Sequence, residues 1–144
     1  MSTLRTNALE GVDAKNSITI VAGAGNVTTT NVQEGIAKVW ANLNGSGTIA
    51  LRDSFNVSGT TDNGTGDYKY TFTNNMNNEN FAFTSSAAYM NGDNTSVLLS
   101  TLKNESSYTT AINTSDINIQ ASGPNDQNAF DAGCTTLQID GDLA

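Results

Sequence analysis

The chain has 144 residues and a mass of 15.1 kDa, enough for one ordinary domain. Charged residues make up only 14%, the net charge is −8, and the chain holds no histidine and a single cysteine, Cys134. His-based nucleophilic catalysis, His-ligated metal centres, thiolate clusters and intrachain disulfides are thereby excluded, and six scattered basic residues give no electrostatic grip on nucleic acid or an anionic membrane.

The polarity is carried by neutral groups: 20 Asn, 20 Thr and 13 Ser. The opening Met1-Ser2-Thr3-Leu4-Arg5-Thr6-Asn7 has no apolar core, so no signal peptide is expected there. The longest apolar stretch, around Ile18 to Ala24, is far short of a membrane span, and no membrane insertion is expected.

The first element is a strand-like run at Ser17 to Ala22, followed by a turn at Gly23-Ala24-Gly25-Asn26. With no aromatic residue and one short strand, this region cannot fold by itself and reads as an anchoring arm. A short helix is predicted next. Thr30 or Asn31 would cap it, Gln33 or Glu34 would complete a capping box, and Val32, Ile36 and Val39 would share one face. Such a stripe suits three copies of the chain meeting at an axis, or a monomer packing it under its own sheet. Residues 1–35 are therefore predicted to form the arm and helix, and 36–144 the main domain.

From Lys38 onward the apolar period is two. Ile49, Leu51, Phe55 and Val57 share one face of a strand-like run, and Tyr68, Tyr70 and Phe72 of another. Phe81 and Phe83, Val97 and Leu99, Ile117 and Ile119, and Leu137 and Ile139 follow in the same pattern. Asn-Gly pairs at Asn44-Gly45, Asn63-Gly64 and Asn91-Gly92 mark hairpin turns, because both residues tolerate positive φ. Many short strands at this spacing predict an all-β fold, an antiparallel β-sandwich of jelly-roll-like form with an extended N-terminal arm and one short helix. Gly123-Pro124-Asn125-Asp126 reads as a loop.

No catalytic, cofactor-binding or metal-ligating residue is assigned. The acids fall mainly at turns, where turn chemistry accounts for them, and no paired-carboxylate cleft can be read. Asp62-Asn63-Gly64-Thr65-Gly66-Asp67 offers oxygen ligands of the kind Ca²⁺ takes, but its spacing is not that of an EF-hand and it reads first as a hairpin turn. The Asn-x-Ser/Thr sequons at Asn26, Asn44, Asn56, Asn63, Asn94, Asn104 and Asn113 are what such a composition produces by chance. Trp40, the only tryptophan, is expected in a core or subunit interface, with a sugar-stacking platform as the other reading.

The segment Lys38-Val39-Trp40-Ala41-Asn42-Leu43-Asn44-Gly45-Ser46-Gly47-Thr48-Ile49-Ala50-Leu51-Arg52-Asp53-Ser54-Phe55-Asn56-Val57-Ser58, with Thr61 to Tyr68 after it, resembles a module of tailed-bacteriophage fibres and virion proteins. The Ser-Thr-Leu opening, the Ile18 to Val21 strand, Gln33-Glu34-Gly35-Ile36-Ala37-Lys38 and the closing Gly141-Asp142-Leu143-Ala144 are similar to small marine-phage structural proteins. The resemblance implies a non-catalytic virion appendage subunit, homotrimeric and β-rich. It would be held to a tail or capsid protein through its arm, with a host cell-surface glycan or protein as partner. Ile18, Ile20, Val32, Ile36, Val39 and Trp40 are the expected trimer or anchor contacts. Loops carrying Asn77, Asn78, Tyr89, Asn91, Asn94, Asn125 and Asn128 are the expected recognition surface. A capsid head fibre or decoration protein bound through the arm is the alternative, and a polysaccharide depolymerase a distant third.

Overall fold

A computed structural model describes residues 19–22, 28–31, 36–91, 94–103, 111–123 and 128–144. The chain divides at Ile36/Ala37 into two compact units. In the first, β1 (Thr19–Ala22) pairs antiparallel with β2 (Thr28–Asn31), Thr19 opposite Asn31 and Ala22 opposite Thr28. The arm thus contains a hairpin of its own.

The second unit holds eight antiparallel strands: β3 (Val39–Asn44), β4 (Ala50–Phe55), β5 (Val57–Gly64), β6 (Asp67–Phe72), β7 (Ala82–Asn91), β8 (Asn94–Leu102), β9 (Asp116–Ser122) and β10 (Cys134–Asp140). They form two leaves of four, in the orders β4-β3-β10-β7 and β8-β9-β6-β5. The β7–β8 hairpin joins the leaves. The first part of β7 pairs with β10, its last residues 87–91 pair with β8, and residues 99–102 of β8 then pair with β9. The fold is an all-β sandwich, as the period-two runs predict.

The core lies between the leaves. Val39, Ala41 and Leu43 from β3 and Leu137 and Ile139 from β10 meet Tyr68, Tyr70 and Phe72 from β6 and Ile117, Ile119 and Ala121 from β9. Alternation makes this possible, since strand residues two apart share a face. Phe72 and Phe81 close one end of the core edge to face, with ring centroids 6.2 Å apart. Beside them Met76 bridges to Leu143.

The other end is stitched by Tyr68. Its buried hydroxyl donates to the Gly45 carbonyl (3.0 Å) and accepts the Ala132 N–H (2.9 Å), tying the β3–β4 turn to the segment before β10. A side chain at Gly45 would overlap the Tyr68 ring. Gly66, at φ +67, donates to Asp131 (2.9 Å), and a Cβ there would overlap the carbonyls of Ala121 and Phe130.

Three expectations are corrected. The helix near residues 30–39 does not form at its described positions: Thr30 and Asn31 pair in β2, the chain bends at Ile36 and Lys38, and Val39 opens β3. Val39 is fully buried in the sandwich, so it is a core residue and no trimer contact. The run from Ile49 to Val57 does not keep one face inward. Leu51 pairs opposite Leu43, but the next pair is Asp53 with Asn42, so Arg52 is an extra residue in a bulge. One extra residue reverses the faces beyond it, and Phe55 emerges 51% exposed. The same run is then split by Asn56, at φ 58, which turns the chain from β4 in one leaf to β5 in the other.

Candidate functional site

The outward face of the first leaf carries the candidate site. Inward Val39, Ala41 and Leu43 force Trp40 and Asn42 outward, and inward Leu137 and Ile139 do the same for Thr136 and Gln138. Register then aligns side chains across strands. Phe55, Trp40, Gln138 and Thr84 form one row from β4 through β3 and β10 to β7. Asp53, Asn42, Thr136 and Ser86 form the next. Between them lies a groove of about 520 Å³, lined by residues 40–42, 84–86 and 136–138. This volume is that of a small-ligand cleft, about 300–1,000 Å³.

The groove is lined by uncharged residues, with one aromatic wall. Trp40 is 38% exposed, so the tryptophan sits on the surface and not in its own core. The amides are oriented by fixed partners. Asn42 Oδ1 accepts from Arg52 Nη1 (3.2 Å), which leaves Nδ2 as a donor to the groove. Gln138 Nε2 donates to Asp140 Oδ2 (3.2 Å), which leaves Oε1 as an acceptor. The Ser86 and Thr136 hydroxyls share a hydrogen bond of 2.7 Å. No lining residue has a titratable side chain.

Arg52 holds this face in shape. From the bulge it donates to the Leu43 carbonyl (3.1 Å), to Asn44 Oδ1 (3.3 Å) and to the Gly133 carbonyl (2.6 Å), as well as to Asn42. Its terminal N–H donors are thus committed to neutral acceptors on β3 and at the entry to β10. The other described cations are engaged too. Lys69 pairs with Asp116 at 3.3 Å, Lys103 pairs with the buried Asp67, and Lys38 is itself buried.

A second exposed aromatic feature lies at the Tyr68 end. Tyr89 of β7 meets Phe130 edge to face, with centroids 6.3 Å apart and both rings more than a third exposed. The contact brings Tyr89 beside Phe130, two residues after Asn128, another of the expected recognition residues. Tyr89 lies within β7 and is a strand residue, not the loop residue expected. Asn91 ends β7 and Asn94 begins β8, whereas Asn77, Asn78 and Asn128 are exposed outside the strands.

Of the expected trimer or anchor residues, Ile36 is 56% exposed and Ile20 lies in β1 opposite Thr30. Ile18, Val32 and Asn125 lie outside the described residues. In the Asp62–Asp67 turn the two carboxylates serve separate partners. Asp62 accepts the Gly64 N–H (3.0 Å), and Asp67 is buried against Lys103. Among the described residues no three acids or cysteines form a metal-holding group.

Sequence reasoning did not find Gln138, Thr84, Ser86, Thr136 or Phe55. The strand spacing of Val39, Ala41 and Leu43 was the signal that would have placed Trp40 outside. The pairing of β3, β10 and β7, which completes the groove, spans most of the chain and leaves no local trace. Comparison with protein-family models, with curated proteins and with solved structures finds no match.

Proposed function

We propose that this chain is a non-catalytic structural protein of a bacteriophage virion, a fibre or appendage subunit whose sandwich contacts the host surface. The observation that carries the reading is the groove on the first leaf: a fixed sheet face offering one tryptophan, oriented amides and hydroxyls, and no titratable group. Such a face suits binding. Neutral amides and hydroxyls with an aromatic anchor are the chemistry of adaptable recognition. The resemblance of residues 38–68 to phage fibre modules supports the virion setting. The division of the chain at Ile36 suits a separate anchoring unit ahead of the sandwich, held by a tail or capsid protein or by sister copies in a trimer.

Adsorption competition tests this reading. Purified full-length protein added to susceptible cells is expected to label them and to slow phage adsorption. Absence of cell binding across a range of salt concentrations would contradict host contact and leave a capsid fibre or decoration role as the reading to pursue.

A further inference from the structure

We infer that the groove between β3, β10 and β7 is a saccharide-binding site that takes a neutral oligosaccharide, stacked on Trp40. The inference rests on the adhesin reading above and names the chemistry of its partner.

A sugar ring has a weakly polar face of C–H groups and a rim of hydroxyls, each able to donate and to accept. The Trp40 ring supplies the flat apolar surface that such a face covers. Around it the groove supplies both hydrogen-bonding senses: a donor at Asn42 Nδ2, an acceptor at Gln138 Oε1, and hydroxyls at Thr84, Ser86 and Thr136. Arg52 and Asp140 hold the two amides in place before any ligand arrives, which lowers the ordering cost of binding. Phe55, the cross-strand partner of Trp40, extends the aromatic row toward the edge strand and offers a second ring position.

Charge selects the class of sugar. The terminal N–H groups of Arg52 are taken by two carbonyls and two Asn side chains, the chain carries −8 overall, and Asp53 stands in the row beside the groove. An acidic saccharide would meet two carboxylates, Asp53 and Asp140, and a guanidinium whose terminal N–H groups are already committed. A second copy of the chain fits the groove less well. A stable protein interface buries about 800 Å² on each side around an apolar centre, whereas this face is a small cleft with a single tryptophan.

The test probes a printed array of neutral and acidic bacterial oligosaccharides with the full chain. The brightest neutral saccharide is then titrated while following the emission of Trp40, the only tryptophan. Neutral saccharides are expected to bind, to shift that emission saturably, and to hold their affinity as salt rises. Trp40→Ala should weaken binding about tenfold or more, and Trp40→Phe less. Ser86→Tyr, at an exposed strand position that accepts an aromatic residue, should block the groove without unfolding the sandwich.

Failure to bind any neutral saccharide, preference for acidic ones, or unchanged affinity in both Trp40→Ala and Ser86→Tyr would overturn the inference. So would Trp40-dependent self-association in sedimentation, which would assign the face to a second copy. If Ser86→Tyr labels host cells as well as the wild type, the adhesin reading stands and this site falls. If the groove binds neutral saccharide but the protein ignores host cells, the site stands and the adhesin reading falls.

Discussion

Tyr68 shows how one side chain can do structural work at both ends of a loop system. Its hydroxyl is the common partner of Gly45 and Ala132, so removing it orphans a buried carbonyl and a buried N–H together. Tyr68→Phe is expected to cost about 1–3 kcal/mol, read as a shift in the denaturation midpoint, with the fold retained. The same residue sets the alkaline limit. Burial, and less strongly the nearby Asp131 and Asp62, raise the Tyr68 pKa above its usual 10.0, with the Ala132 hydrogen bond opposing. Burial also raises Tyr70, reinforced by Tyr68. A raised folded pKa means that the native state prefers the neutral phenol. The stabilisation is complete below the ordinary tyrosine pKa and declines as pH rises from there toward the folded values. Stability is expected to fall only above about pH 10, with tyrosinate absorbance from these two residues appearing together with unfolding.

At the scale of elements, the corner between β4 and β5 decides how the sheet becomes a sandwich. Asn56 adopts φ 58, its Oδ1 accepts the Asn74 N–H (2.7 Å), and its Nδ2 donates to the Asn74 carbonyl (3.1 Å). Asn tolerates this backbone where most residues pay about 1–2 kcal/mol. Asn56→Ala is therefore expected to destabilise by about 2–4 kcal/mol in chemical denaturation, combining strain with lost hydrogen bonds. Asn56→Gly should cost less, because glycine keeps the corner and loses only the clasp. The elements also show what a sequence can tell. Tyr68, Tyr70 and Phe72, and the pairs Ile117–Ile119 and Leu137–Ile139, were legible because strict alternation survives wherever a strand is regular. The β3–β4, β5–β6 and β7–β8 hairpins were legible because Asn-Gly marks each of them. The bulge at Arg52 and the corner at Asn56 were not, since each interrupts an apolar alternation that looks continuous from Ile49 to Val57. The helix was misread because Val32, Ile36 and Val39 stand at helical spacing, while the pairing of Val39 with Ile139 comes from β10, a hundred residues later.

For the molecule as a whole, the groove could not be seen in the sequence for the same reason. Its three walls come from three strands that meet only in the sandwich, and only Trp40 was singled out in advance. The two units carry separate expectations. Residues 37–144 hold the whole sandwich core, so that fragment is expected to unfold in one cooperative transition and to keep binding at the groove. Loss of cooperative unfolding in the fragment would show that the sandwich depends on the first 36 residues. The proposed virion appendage would present its sandwich outward. Immunogold electron microscopy on purified phage particles, with one antibody against the sandwich and one against the N-terminal unit, tests it most directly. Sandwich label is expected on projecting fibres, with N-terminal label on the same particles. Particles that carry no label from either antibody would contradict the proposal.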